Sequence, residues 1–154
     1  RLGGYSHKHE DARFYGNGLS TPTVLGRFDN FISINGRAGA VEVKFARRSL
    51  PFSSIDVSKR QWAGRPNVAA NLSLWIFVEM GDHVTSPDYP LRAWLLPYAH
   101  FVRLESHSDR KSIPYGDKGL ADYELEWIDK DEGWNIPGTH PFPLSFPMEK
   151  PKNV

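Results

Sequence analysis

The sequence predicts one α/β domain with a mixed central sheet flanked by helices. Three features carry that expectation. Two apolar-rich runs flank Asn35-Gly36. Asn-Gly is the strongest short hairpin signal, because both residues tolerate the positive φ of a type I′ turn. Leu72 to Met80 is apolar except for Ser73 and Glu79, as expected of a central strand covered on both faces. Between hairpin and strand lies a segment with helix start and stop signals. That alternation argues against an all-β sandwich.

Taken in order, the chain divides into an N-terminal segment (1–25), a core (26–115), and an acidic extension with a Pro-rich tail (116–154). In the first segment, His7 to Phe14 can form a short helix ending near Gly16-Asn17-Gly18, with Glu10 as its notable acid. The hairpin runs from Phe28 to Phe45. Arg47 to Phe52 reads as a loop. Ser53 or Ser54 can cap a helix that carries Asp56 in its first turn, then Val57, Lys59, Arg60, Gln61 and Trp62, until Gly64 and Pro66 end it. Ile55 and Trp62 are placed to pack inward. After the central strand and the loop from Gly81 to Pro90, Arg92 to Leu96 forms the next strand, stopped by Pro97. Tyr98 to Leu104 reads as a short helix. Asp109 to Tyr115 is an exposed basic loop or edge strand, and Leu120 to Ile128 a strand or short helix. The tail from Pro137 to Pro151 holds five prolines and reads as extended chain over the surface.

Composition narrows the function classes. The absence of cysteine excludes disulfides and thiolate metal sites and fits a reducing, cytoplasmic setting. No apolar run approaches the roughly 20 residues that cross a bilayer, so no membrane partner is expected. The chain opens on Arg1 and shows no signal peptide, which leaves room for an upstream piece. Net charge is only +1, but its distribution is uneven. Arg37 to Arg65 holds seven basic residues against two acids, and Asp117 to Glu132 seven acids against two lysines. The basic block overlaps the hairpin and suits an anionic partner, although a solvated face is the commoner meaning of a charge run.

The hairpin also carries the chemistry. With Asn35-Gly36 as the turn, Ile34 faces Arg37 and Asp29 sits opposite Glu42. Lys44 projects from the same face as Glu42, while Val41 and Val43 point into a core. A one-residue slip would send Asp29 to the other face. Directly opposed like charges destabilise a sheet, and a divalent cation with oxygen ligands is the natural offset. Two carboxylates and an amine are what hydrolysis of a phosphodiester needs: metal-activated water, and neutralisation of charge on the leaving oxygen. A bare Glu-x-Lys is common, so ordinary salt bridges on a surface hairpin compete with this reading. Arg47, Arg48, Lys59, Arg60 and Arg65 are candidate phosphate contacts. Gln61 can reach the site or face solvent. Trp62 reads as core, and His100 and His107 as structural.

Asp29, Glu42 and Lys44 resemble the PD-(D/E)xK nuclease signature, with Glu42-Val43-Lys44 as its second half. Within that superfamily the chain is similar to RecU-type Holliday-junction resolvases. Ser49-Leu50-Pro51-Phe52 followed by Lys59-Arg60-Gln61 resembles their loop and Gln-bearing helix. Ile76-Phe77-Val78 followed by Trp94-Leu95-Leu96-Pro97 resembles their central strand and Leu-Leu-Pro strand end. Arg110-Lys111-Ser112-Ile113-Pro114 resembles their C-terminal basic motif. The resemblance runs in order from about residue 27 to about 115.

It implies a restriction-endonuclease-like core and Mg²⁺-dependent nicking of branched or four-way-junction DNA by a homodimer, with Mn²⁺ able to substitute. Carried over, Asp29, Glu42 and Val43 are the metal positions and Lys44 the catalytic lysine, with Gln61 and Glu10 as accessory catalytic groups. Arg47, Arg48, Lys59, Arg60, Arg65, Arg110 and Lys111 face DNA. The family's long stalk has no counterpart, since only Gly16 to Gly26 occupies that region. A compact enzyme of a bacterial cell or phage-infected host fits that departure. Restriction-type, repair or phage-recombination nucleases on the same core are the first alternative. A DNA-binding or assembly module without catalysis is the second.

Overall fold

The structure is a computed structural model that describes residues 5–8, 27–34, 37–82 and 88–142. Its centre is a five-stranded sheet in the order β1 (Tyr5–Lys8), β2 (Asn30–Ile34), β3 (Arg37–Ala46), β5 (Ser73–Met80), β6 (Arg92–Pro97). Strands β2 (Asn30–Ile34) and β3 (Arg37–Ala46) form the expected antiparallel hairpin. Ile34 faces Arg37 and Asn30 faces Val41, the register of a two-residue connection. The turn residues Asn35 and Gly36 lie outside the described residues. Strand β1 (Tyr5–Lys8) adds antiparallel to β2. His7 and Lys8 are therefore in a strand and not in the expected helix. Glu10 and the remainder of that helix lie outside the described residues.

On its other edge β3 runs parallel to β5 (Ser73–Met80) from Gly39 to Ala46, outrunning β2 after Val41, with Glu42 beside Ile76 and Lys44 beside Val78. Strand β6 (Arg92–Pro97) returns antiparallel to β5. Parallel neighbours need a crossover connection, and here it holds several elements. Ser49–Pro51 forms β4, which pairs with β7 (Ser112–Pro114), so the expected loop is an edge strand. Leu50 and Ile113 face each other there and are both buried in the core, which offsets the brevity of the pairing.

Phe52–Ser54 is a 3-10 turn, and neither Ser53 nor Ser54 caps the next helix. Asp56 does, accepting from the Lys59 N–H at 2.9 Å at the start of α1 (Val57–Ala63). Gly64 ends α1. Pro66 does not terminate it further but opens α2 (Pro66–Asn71), where its fixed φ and missing N–H suit the first helical position. Helix α3 (Tyr98–Ser106) follows β6 directly.

Side-chain alternation along β5 explains its unbroken apolarity. Ile76, Val78 and Met80 enter a core with Leu50, Phe52, Ile55, Trp94 and Phe101 on the helical side. Trp75 and Phe77 enter a second core with Val41, Leu95, Leu125, Ile136 and Phe142. The acidic C-terminal stretch builds that second cover through Leu125, Trp134, Ile136 and Phe142, while its Leu120 and Tyr123 pack on the first core. Lys118–Tyr123 is a 3-10 helix, and Glu126–Trp127 (β8) pairs with Trp134–Asn135 (β9). Trp134 Nε1 donates to Glu79 Oε2 at 2.9 Å, and Phe142 packs on Trp75 with ring centroids 4.6 Å apart. The acids Asp122, Glu126, Asp129 and Asp131 stay exposed. Of the tail expected to lie over the surface, residues 137–142 are described and are buried at His140 and Phe142, and the rest lies outside the described residues. Among the described residues no helix is long and apolar enough to cross a membrane.

Candidate active site

The hairpin register sets the geometry of the site. Phe28 is fully buried against Trp62 and Tyr98, with ring centroids at 5.3 and 5.6 Å, and fixes the chain just ahead of Asp29. Asp29 precedes β2, so the ladder ends before it. The Val43 N–H, which the ladder would leave unpaired, instead donates to Asp29 Oδ2 at 3.0 Å. The Asp29 N–H in turn donates to Glu42 Oε1 at 3.1 Å. One oxygen of each carboxylate is thus held by the other strand's main chain.

The two remaining oxygens share a cation. Lys59 Nζ lies 2.5 Å from Glu42 Oε2 and 3.3 Å from Asp29 Oδ1. Lys44 Nζ lies 3.3 Å from Glu42 Oε2. The side chains grade from sealed to open: Glu42 is 0% exposed, Lys59 16%, Lys44 21% and Asp29 40%. Formally, two carboxylates meet two ammoniums and the cluster is neutral. Lys59 was expected on DNA. The structure turns it inward, because the Asp56 cap sets α1 with its third residue over the carboxylates.

Burial pushes Glu42 above its ordinary pKa, the Lys59 hydrogen bond pulls against this, and the Asp29 charge adds to the rise. Burial works upward on Asp29 too. There the Val43 N–H and Lys59 outweigh it, and the net shift is downward. Burial lowers Lys59, but its bond to Glu42 and the charges of both acids raise it overall. Lys59 is therefore charged at neutral pH, and Asp29 ionised.

The donor set suits a hard divalent cation. Asp29 Oδ1 and Glu42 Oε2 already converge on one positive centre. In a strand the N–H and C=O of a residue open on the same edge. The Val43 N–H reaches Asp29, so its carbonyl faces that side as well. Among the described residues no group of three or more His, Asp or Glu forms. Mg²⁺ is commonly held by one or two carboxylates, completed by water and phosphate oxygens, so the pair fits.

The other sequence candidates separate. Gln61 is exposed and lies about 200° around α1 from Lys59, on the face away from the carboxylates. Arg60 is not free for DNA. Its guanidinium donates to the carbonyls of Ile55 (2.8 Å) and Phe52 (2.6 Å) and to Glu105 of α3 (2.7 Å). Arg110 pairs with Asp117 at 2.7 Å and bonds Ser108. Arg47 is largely exposed beside Asp82 at 3.3 Å. Arg48 lies 4.5 Å over the Tyr89 ring. Arg65 is exposed before α2, and burial together with the Arg65 charge lowers the pKa of Arg27. The Lys111 side chain is exposed while its carbonyl accepts from the Phe52 N–H. His100 and His107 bond the backbone, at Gly119 and Arg103.

Fold and site together define an α/β protein whose hairpin presents a paired carboxylate–ammonium cluster. No family model matches the chain, and no curated protein matches it.

Proposed function

We propose that the chain is a metal-dependent DNA endonuclease on a restriction-endonuclease-like core, with branched DNA such as a four-way junction as its substrate. The observation that carries this reading is the convergence of Asp29 Oδ1 and Glu42 Oε2 on one cationic position beside Lys44. Bound Mg²⁺, or Mn²⁺ in its place, supplies an activated water and stabilises charge on the leaving oxygen. Asp29, Glu42 and the Val43 carbonyl would hold it. Asp29, kept ionised by the Val43 N–H and Lys59, contributes its charge at neutral pH. Lys44, fixed on β3, is placed to orient water and to neutralise a phosphate oxygen. Arg47, Arg48, Arg65 and Lys111 are exposed cations suited to phosphates along the strand. A homodimer would set two such sites on opposite strands of a junction in the cytoplasm.

The test is cleavage of a four-way junction, a flap and a linear duplex with Mg²⁺, comparing wild type with Asp29→Asn. Nicking of the junction by wild type alone supports the proposal. Preference for flap or duplex moves it to a restriction-type, repair or phage-recombination nuclease. A second reading, a DNA-binding or assembly module, is favoured by one observation: Lys59 already satisfies both carboxylates. DNA retention without cleavage in Mg²⁺ or Mn²⁺ selects it.

A further inference from the structure

We propose that Lys59 is the resident counter-cation of the Asp29–Glu42 pair, and that a divalent ion binds there by exchanging with its ammonium. The proposal rests on the reading of the pair as a metal site. It follows from how the four carboxylate oxygens are committed. Asp29 Oδ2 and Glu42 Oε1 are held by main-chain N–H groups. Asp29 Oδ1 and Glu42 Oε2 both face Lys59 Nζ, at 3.3 and 2.5 Å. A metal ion gripping both residues would use those same two oxygens. Lys59 Nζ lies between those oxygens, in the space that an ion about 2.1 Å from each would fill, so the two cannot occupy it together.

The fold lets Lys59 leave without unfolding its helix. What anchors α1 at this point is the Lys59 backbone N–H on Asp56 Oδ1, at 2.9 Å, and not the Lys59 side chain. The ammonium sits on a flexible four-carbon stem. Lys44 differs: among the described residues its ion pair is with Glu42, at 3.3 Å, and it rises from the sheet. The two lysines therefore divide their roles: Lys44 stays, and Lys59 exchanges. Without metal, Lys59 holds two like charges on adjacent strands together. It thereby keeps the site shaped and raises the metal concentration needed to fill it.

Metal-stripped protein titrated calorimetrically with MnCl₂ tests this without reference to cleavage. Lys59→Gln is expected to bind Mn²⁺ about tenfold tighter than wild type, because a competing state is removed. It should also melt lower without metal and gain more in melting temperature on adding it. Asp29→Asn should abolish binding in both backgrounds. If folded Lys59→Gln binds Mn²⁺ no tighter while Asp29→Asn still abolishes binding, exchange is wrong and the metal site stands. If neither wild type nor Lys59→Gln binds Mn²⁺ through Asp29, both readings fall. Should Lys59→Gln not fold, Lys59→Arg keeps the charge and offers both carboxylates a fork harder to displace. Weaker Mn²⁺ binding is then expected, and unchanged affinity overturns the proposal.

Discussion

Asp29 and Glu42 grip each other across the open end of the hairpin: the Asp29 N–H donates to Glu42 Oε1 at 3.1 Å. The Val43 N–H returns the bond to Asp29 Oδ2 at 3.0 Å. The acids are thus built into the backbone hydrogen bonding at the point where β2 and β3 part. This makes Asp29→Asn an informative substitution. The Asn oxygen can still accept from Val43, so the fold should survive with a melting temperature near wild type. The charge that a metal needs is gone, and Mg²⁺-dependent nicking should fall by about a hundredfold or more. DNA binding in filter or mobility assays should persist, because no phosphate contact is removed. Loss of DNA binding by a folded variant would count against the assignment.

Lys44→Ala separates chemistry from metal binding. Among the described residues Lys44 pairs with one carboxylate and is 21% exposed, so its loss leaves in place the oxygens that would hold a metal ion. Cleavage at saturating Mg²⁺ should slow by about a hundredfold or more, with Mn²⁺ affinity within a few-fold of wild type. An unchanged rate would remove Lys44 from the reaction.

The basic residues make opposite predictions according to where the structure puts them. Arg47 and Arg48 are exposed at the end of β3. Replacing both by Ala should weaken DNA binding and reduce the slope of log K against log salt by about two. Arg60 instead ties α1 to α3 through Glu105 and satisfies the carbonyls of Phe52 and Ile55. Arg60→Ala should cost about 2 kcal/mol of stability through those unsatisfied partners and leave the salt slope unchanged. Urea unfolding and binding at several salt concentrations check both arms. A flattened slope for Arg60→Ala would show that its guanidinium reaches DNA after all.

What could be read in the sequence was local. Asn35-Gly36 implied a two-residue turn, the side-chain period of a strand did the rest, and Asp29 landed opposite Glu42 as that arithmetic requires. What could not be read was set by distant chain. Ser49–Pro51 is a strand because Ile113 lies across from Leu50, some sixty residues later. Ser53, Ser54 and Asp56 are all good caps, and the choice fell to Asp56 because Ile55 is buried in extended conformation just before it. Lys59 looked like one more cation in a basic block. Its inward turn depends on where α1 docks, although two facing acids already called for a nearby positive charge. The C-terminal cover was hidden because its apolar residues are spread irregularly among acids and prolines.

That cover carries a pH dependence centred on His140. The His140 ring is buried, accepts from the Phe142 N–H through Nδ1 at 2.9 Å, and so donates from Nε2 to the Leu95 carbonyl at 2.8 Å. Both nitrogens are committed to the neutral form, since a proton on Nδ1 would face another N–H. Burial lowers its pKa below the usual histidine value, against opposing contributions from the Leu95 and Tyr123 backbone. The sign follows by linkage. An unfolded chain takes up the proton at higher pH than the folded one. The contribution is therefore complete above the unfolded value of about 6.5 and is lost as pH falls through the lowered folded value. Urea unfolding from about pH 8 to about pH 5 should show stability declining below neutrality. His140→Ala should cost about 2 kcal/mol at the higher pH by leaving the Leu95 carbonyl and Phe142 N–H unpartnered, and should flatten that decline. An equally steep decline in the variant would move the dependence to another group.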